Sequence, residues 1–525
     1  MNFKNTYMGR LKYILVPVFI LAMVTNCADL DLQPLDTVSE GAFFKTEVDF
    51  KGATLASYSS MQSLYATTEI NYPAFNEWFK LAYMTSDMVT TDPGKFDFLN
   101  YSKFRFLPTD GSFQYIFVTV YQGIHRANLV LEKLASTENE LTEAEKTQYE
   151  AEARFVRGWF NFLSYNLWGG NAPLLLGTRK DLNDIAVGNS TPEETVQAII
   201  DDFTFASANL PAEWGDENLG RATSWAAQSY LGKIYLYTED YENARIQFED
   251  VYNNGPYALM PDYESVFDYE QQNNQESIFE IQFASAGDDN GWVLDDFHPE
   301  NFKATQGFNR ESDIGIFDGS NYEPSAKYLA LSDPEDPRLD VNIYRNGETY
   351  YTAFESFQLE DIIGSGGSSG ALIKKYRGDN VPKMAPRNGA VDYNNDRVFR
   401  FADLILMYSE SLIESDGDLG LAADLINEVR LRSYPDATPV PTGSSAELTS
   451  ALRDERAREL FFEGHRYFDL VRWGIAQETF DAIDQTEDEG VIENTFATRT
   501  ANGIFPLPQQ EIDKSGGILV QVPGL

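Results

Sequence analysis

The stretch EARFVRGWFNFLSYNLWGG, residues 152–170, decides the fold class. Phe155, Trp159 and Phe162 recur at helical spacing and form one apolar stripe. Val156, Phe160, Leu163 and Leu167 form a second. A helix apolar over that much of its surface has to be buried in protein. Gly169 and Gly170 supply the left-handed backbone that ends it. Outward from this point the same period predicts helices over 113–135 and 142–168. Thr191, Pro192 and Glu194 read as N-cap, N1 and N3 of a capping box, opening another helical set that runs to 256. Within that set Leu231, Gly232, Tyr235, Ala244, Phe248 and Pro256 fall at the spacings of a tetratricopeptide unit. Gly232 and Ala244 would let two helices approach closely, with Tyr235 and Phe248 filling the groove; Gln228 stands where that unit usually has Trp.

The rest of the chain divides by texture. Ser39 or Thr46 caps a helix carrying Phe50, Leu55, Tyr58 and Met61. Residues 71–113 read as loop, broken by Pro93, Gly94, Pro108 and Gly111 yet crowded with Phe and Tyr. Residues 257–395 are irregular apart from SIFEIQFA, 277–284, which alternates like a strand. Helices resume over 399–414, 419–432 and, strongest of all, 447–473, and the tail from 503 reads as extended. The fold class is mainly α.

One cysteine in 525 residues excludes an intramolecular disulfide framework and a thiolate zinc module. A net charge of −42 opposes binding to nucleic acid and to anionic lipid, and it disfavours polyanionic ligands. Lys4, Arg10 and Lys12 precede the apolar run YILVPVFILAMV, 13–24, which has the length of a signal-peptide core. Residues 1–26 therefore read as an export signal. No later stretch is apolar enough for a transmembrane helix. Cys27, directly after it, reads as a bacterial lipoprotein acylation site, an anchor that several acyl chains make firm.

Two regions hold candidate chemistry. RDERARELFFEGHRYFDLVRWG, 453–474, has the carboxylates and histidine of an active site, but its Glu and Arg spacing fits ion pairs along a helix, with Phe461, Phe462, Phe468 and Trp473 packed inward. His125, His298 and His465 share no metal-ligand spacing, and no G-x-S-x-G elbow occurs, so neither a cofactor nor catalysis is expected. GDDNGWVLDDFHPENF, 287–302, is different. It sets Trp292, Phe297 and Phe302 in a loop among Asp and Asn. Sugars present flat C–H faces to aromatic plates and hydroxyls to amides, carboxylates and guanidinium groups. Trp292, Phe297 and Phe302 are the candidate plates, with Asn301 and Arg310 as polar partners. A second set is Trp78, Asp87, Phe96, Phe98 and Tyr101. Asp288, Asp289 and Asp295 offer carboxylates to calcium, without the spacing of an EF-hand loop.

Four segments together identify a resemblance: CADLDLQPLDTVSEGAFFKTEVDF (27–50); EARFVRGWFNFLSYNLWGGNAPLL (152–175); FRFADLILMYSESLIE (399–414) followed by LRDERARELFFEGHRYFDLVRWG (452–474); and FPLPQQEIDKSGGILVQVPG (505–524). In this order they resemble the SusD/RagB family of Bacteroidetes outer-membrane lipoproteins, and Asp29 and Asp31 resemble that group's surface-export signal. The resemblance implies a scaffold of four tetratricopeptide-like helix pairs and a loop-rich half that carries the ligand site. It divides the mature chain, 27–525, into a helical part (about 40–256), a loop-rich insert (257–398) and a C-terminal helical part (399–525). It also implies a surface-exposed, non-catalytic, lipid-anchored protein. Such a protein captures a glycan, a neutral one given the charge, and passes it to a SusC-type TonB-dependent transporter. The alternative cargo is a peptide.

Overall fold

The computed structural model describes residues 43–65, 77–91, 96–135, 138–179, 186–283, 322–345, 347–351, 356–358, 370–375, 395–483 and 496–525. These form a mainly helical protein. Helices Glu47–Tyr65, Gly111–Leu134, Glu143–Trp168, Pro192–Asn209, Ser224–Tyr237, Tyr241–Asn254, Phe401–Glu414 and Leu419–Ser433 pack each on the next in a continuous row. Helix Ser445–Glu459 closes against the last two. Among the described residues no helix is long and apolar enough to cross a membrane.

Local chemistry sets the helix ends. Thr142 accepts from the Glu145 backbone while the Glu145 carboxylate accepts from the Thr142 N–H at 2.7 Å, a full capping box. Thr191 with Glu194 and Ser444 with Glu447 repeat it. Each cap is worth about 1 kcal/mol. Gly169 ends the Glu143–Trp168 helix at φ 59°, in the left-handed region. That helix is buried on nearly every side, as its two stripes require: Phe155, Val156, Phe160 and Leu167 are fully covered.

Close approach fixes one helix pair. A Cβ on Gly232 would lie 2.6 Å from the ring of Phe248, which is fully buried in the facing helix Tyr241–Asn254. Gly232→Ala should therefore cost about 1–3 kcal/mol through overpacking, read as a lower urea midpoint at unchanged m-value. An unchanged midpoint would show that the two helices part easily.

Strands occur only as short two-stranded ladders among the described residues. Ser277–Ile281, the predicted strand, pairs antiparallel with Asp396–Arg400. Val89–Thr90 pairs with Glu323–Pro324, and Ile343–Arg345 with Ala371–Ile373.

Three expectations are corrected. The 71–113 stretch is not all loop: Glu77–Ala82 and Phe96–Ser102 are helices. The tail is not wholly extended, since Gln509–Lys514 is helical. The helix expected over 447–473 stops at Glu459 and restarts as Arg466–Arg472. The cause is tertiary. The Glu459 carbonyl accepts from Arg400 Nη2 at 2.7 Å and the Tyr263 hydroxyl at 3.0 Å, and the Phe461 carbonyl accepts from Lys375 Nζ at 2.7 Å. Buried donors thus take the carbonyls that the next helical turn would need. Phe462 (φ 54°) and Gly464 (φ 78°) then turn the chain through left-handed conformations.

Candidate functional site

The structure brings the two flanks of the candidate regions together. Strand Val89–Thr90, just after Asp87, pairs with Glu323–Pro324, just after residues 284–321. Ser325 locks the junction: its N–H donates to the Met88 carbonyl and its hydroxyl to the Asp87 carbonyl, at 2.9 and 2.8 Å. Tyr322, fully buried, meets Phe98 edge-on at 5.2 Å and also packs on Phe79 and Phe462. The chain that follows residues 284–321 is thereby held in place. At the other end of that stretch the Phe283 N–H donates to Asn395 Oδ1 at 2.8 Å, and Asn395 Nδ2 donates to Glu280 and Gln282.

The second set of candidate residues lies mostly inside this frame. Trp78 is 5% exposed and stacks on Phe468 at 6.1 Å. Phe98 and Tyr101 are equally covered, Tyr101 against Phe106 and Phe113, with Lys80 Nζ between 5.7 and 5.8 Å from both ring centres. These rings act as packing, not as open plates. An aromatic side chain buries roughly 150–250 Å², and a run of them in an amphipathic stretch gains most by covering itself. Phe96 opens the helix Phe96–Ser102, and its side chain lies outside the described residues. Asp87 is occupied as well. Arg466 grips it with two bonds of 2.8 and 2.9 Å, and Lys327 lies 2.7 Å away. Burial raises its pKa, but these two cations outweigh burial and hold it below the usual carboxylate range. Trp292, Phe297, Asn301, Phe302 and Arg310 lie outside the described residues, as do Cys27 and the Asp288, Asp289 and Asp295 carboxylates.

Beneath the junction, the residues of 453–474 that resemble an active site form a buried ionic core. Carboxylates of Glu276, Asp336, Glu455, Glu459 and Glu463 face Arg338, Lys375, Arg400, Arg430 and Arg432 at 2.5–3.1 Å. Glu459 alone binds Arg338, Arg400, Arg432 and the Ser433 hydroxyl. A second group joins Asp403 to Lys233 and Arg456, Arg456 to Asp469, and Asp469 to Arg472, which reaches Glu410. The expected ion-pair role holds, but the pairs run between distant elements. Along the helices themselves Glu455 and Arg458 approach at 3.6 Å, and Asp469 pairs with Arg472 at 2.8 Å. Phe461, Phe462 and Phe468 do pack inward; Trp473 stays half-buried, donating its indole N–H to Glu410. Burial would raise the pKa values of Glu459, Glu463, Asp403 and Asp469, yet the facing cations hold all four low. A general acid needs the opposite shift. Among the described residues no cluster of His, Cys, Asp and Glu is arranged to hold a metal ion.

His465 sits where the two ionic groups meet. Its Nε2 lies 3.9 Å from Asp403 Oδ2, too far for a hydrogen bond. A cavity of about 20 Å³ beside it, lined in part by Tyr83, Ser86 and Phe461, has room for one water and none for a sugar ring. Burial pushes the imidazole pKa down to about 4, against the pull of Asp403 and Glu463 and with the push of Lys233 and Arg456. Below pH 6.5 the unfolded chain therefore takes up a proton that the folded chain refuses, so this group lowers stability as pH falls from 6.5 towards 4. The loss should reach about 2 kcal/mol at pH 5. Urea unfolding of His465→Gln should show a smaller stability loss from pH 7 to pH 5 than the parent; equal losses would assign the acid sensitivity elsewhere.

Sequence reasoning missed Tyr322, Arg466 and Lys327, which build the junction. Their partners stand far off in the chain, and no local pattern points to them.

The fold matches known proteins. The SusD family matches residues 261–524, and a second family, described as starch-binding and associating with the outer membrane, matches residues 44–236. The chain belongs to the SusD family. A SusD-like protein of Formosa agariphila is 26% identical over 536 aligned positions, covering 96% of this chain and 97% of that one. The crystal structure of a SusD superfamily protein from Bacteroides vulgatus shares the fold with a TM-score of 0.75 at 23% identity, covering 92% of this chain and all of that one. Surface glycan-binding protein A of Bacteroides thetaiotaomicron, solved in complex with laminarihexaose, has a TM-score of 0.71 at 20% identity, covering 91% of this chain and all of that one.

Proposed function

We propose that this protein is a non-catalytic glycan-binding lipoprotein of the bacterial outer membrane, which captures a neutral glycan and passes it to a SusC-type TonB-dependent transporter. The observation that carries the reading is the Val89–Thr90 and Glu323–Pro324 pairing. It fixes the chain directly after residues 284–321, a stretch rich in aromatic, amide and acidic residues, against the buried rings of Phe79, Phe98 and Phe462, and preorganised surroundings favour binding by lowering its entropic cost. The relative solved with laminarihexaose makes a neutral β-glucan the first ligand to try, and the net charge of −42 argues against polyanions. Binding without hydrolysis fits carboxylates that are ion-paired and held ionised. Cys27 is the proposed lipid anchor, and no cofactor is invoked.

The test is calorimetric titration of the chain from residue 28 onward with laminarin, mannan and alginate, with Trp292→Ala in parallel. The reading expects binding to a neutral polymer that weakens in the variant. Preference for alginate at high salt would refute the neutral-glycan assignment. Silence towards all three polymers would favour a peptide cargo.

A further inference from the structure

Trp214 is placed unlike the other described tryptophans. Trp78, Trp159 and Trp168 are buried, Trp225 packs on the hydrophobic core, and Trp473 is faced by Arg453, Arg466 and Arg472. Trp214 is half-buried in a loop whose neighbours Glu213, Gly215, Asp216 and Glu217 are exposed, and it does not join the core. Leu219, on the same loop, is 44% exposed.

An indole in such a loop would ordinarily be free to turn, but this one is held. Its N–H donates to the Ala222 carbonyl at 2.9 Å. One ring face lies on the Arg221 guanidinium, 4.1 Å from the ring centre. Arg221 is itself fixed by a two-point ion pair with Glu152, fully buried, and by the Asn218 side chain at 2.8 Å. The loop is pinned at Gly220, at φ +94°, where a Cβ would come within 2.4 Å of the buried Gln282 side chain. Gln282 directly follows strand Ser277–Ile281, so this loop packs on the described chain two residues before the 284–321 stretch begins.

We propose that the face of Trp214 opposite Arg221 is a stacking platform for one sugar ring of a neutral glycan, an outer subsite of the site proposed above; the inference rests on that glycan-binding reading. The ring is rigid before the ligand arrives, so little ordering entropy is lost on binding. Glu213, Asp216 and Glu217 can accept hydrogen bonds from hydroxyls and repel anions. One indole face matches one sugar ring, whereas a stable protein interface needs about 800 Å² on each side.

The experiment is titration of laminarin and mannan into the chain from residue 28 onward and into its Trp214→Ala, Trp214→Tyr and Trp292→Ala variants, each checked by thermal melting. The expected result is binding of one polymer that Trp214→Ala weakens about three- to ten-fold, while Trp214→Tyr, which keeps a plate, stays within about twofold of the parent. A parent that binds neither polymer overturns the glycan reading and the platform together. A parent that binds, with Trp292→Ala weakened but Trp214→Ala unchanged, overturns the platform alone. So does a Trp214→Tyr variant that is folded yet as weak as Trp214→Ala.

Discussion

Glu459→Ala is expected to be the most damaging single substitution in the protein. Its carboxylate is fully buried and is shared by Arg338, Arg400 and Arg432 at 2.6–3.1 Å. Removing it leaves three guanidinium groups competing for the remaining carboxylates. Breaking a buried pair from one side costs about 3–5 kcal/mol because an uncompensated charge is left behind. That is a large part of the 5–15 kcal/mol typical of a folded protein. Two further losses add to it. The Ser433 hydroxyl loses its 2.8 Å acceptor, and Arg400, which also holds the Glu459 carbonyl at the helix break, loses part of its fixation. Asp454→Ala, one residue from Glu455 on the same helix but outside the network, should stay within about 0.5 kcal/mol of the parent. Denaturant unfolding of the two variants decides the matter. A Glu459→Ala protein as stable as Asp454→Ala would mean that the ionic core is dispensable.

The second large effect is expected in binding. Trp292→Ala should weaken a neutral glycan by about 2 kcal/mol or more, roughly thirty-fold, as removal of a central aromatic anchor does. Trp78→Ala should behave the opposite way. Its ring is stacked on Phe468 and 5% exposed, so it should cost about 3–5 kcal/mol of stability while the folded fraction binds glycan normally. Titration and unfolding on the same two preparations separate a plate from a packing ring. If Trp78→Ala lost affinity at unchanged stability, the burial of this ring would be the wrong guide to its role.

What could be read from the sequence, and what could not, follows from the range of the interactions. The capping box at Thr191–Glu194 lies within one helical turn, so four residues suffice to predict it. The stripes of Glu143–Trp168 and the Gly232–Phe248 approach rest on helical periodicity and on residue size, both local. The break after Glu459 depends on Lys375, Arg400 and Tyr263, which approach from other parts of the chain. No window centred on the helix contains them. The aromatic run 78–101 marks a second limit. Composition tells that Trp78, Phe98 and Tyr101 will seek cover, but a sugar and a neighbouring helix cover a ring equally well, and only the fold shows that Phe468, Tyr322 and Phe113 do so. Trp214 had no motif at all. Its interest arises from Arg221 and Glu152, the latter on another helix.

The Asp87 junction ties these threads together. Arg466 opens the helix that follows the ionic core, and its two bonds to Asp87 connect that core to the strand pair flanking the Trp292 segment. Rigidity built around Glu459 is in this way extended to the strand pair that adjoins residues 284–321 in the chain.

The most direct measurement is a crystal structure of the protein grown with laminarihexaose. The account predicts an oligosaccharide seated against residues 284–321, with a ring on Trp292 and the buried ionic core unchanged. A hexasaccharide bound well away from that segment, or carboxylates of the 453–474 stretch turned out of their ion pairs to meet it, would contradict the account.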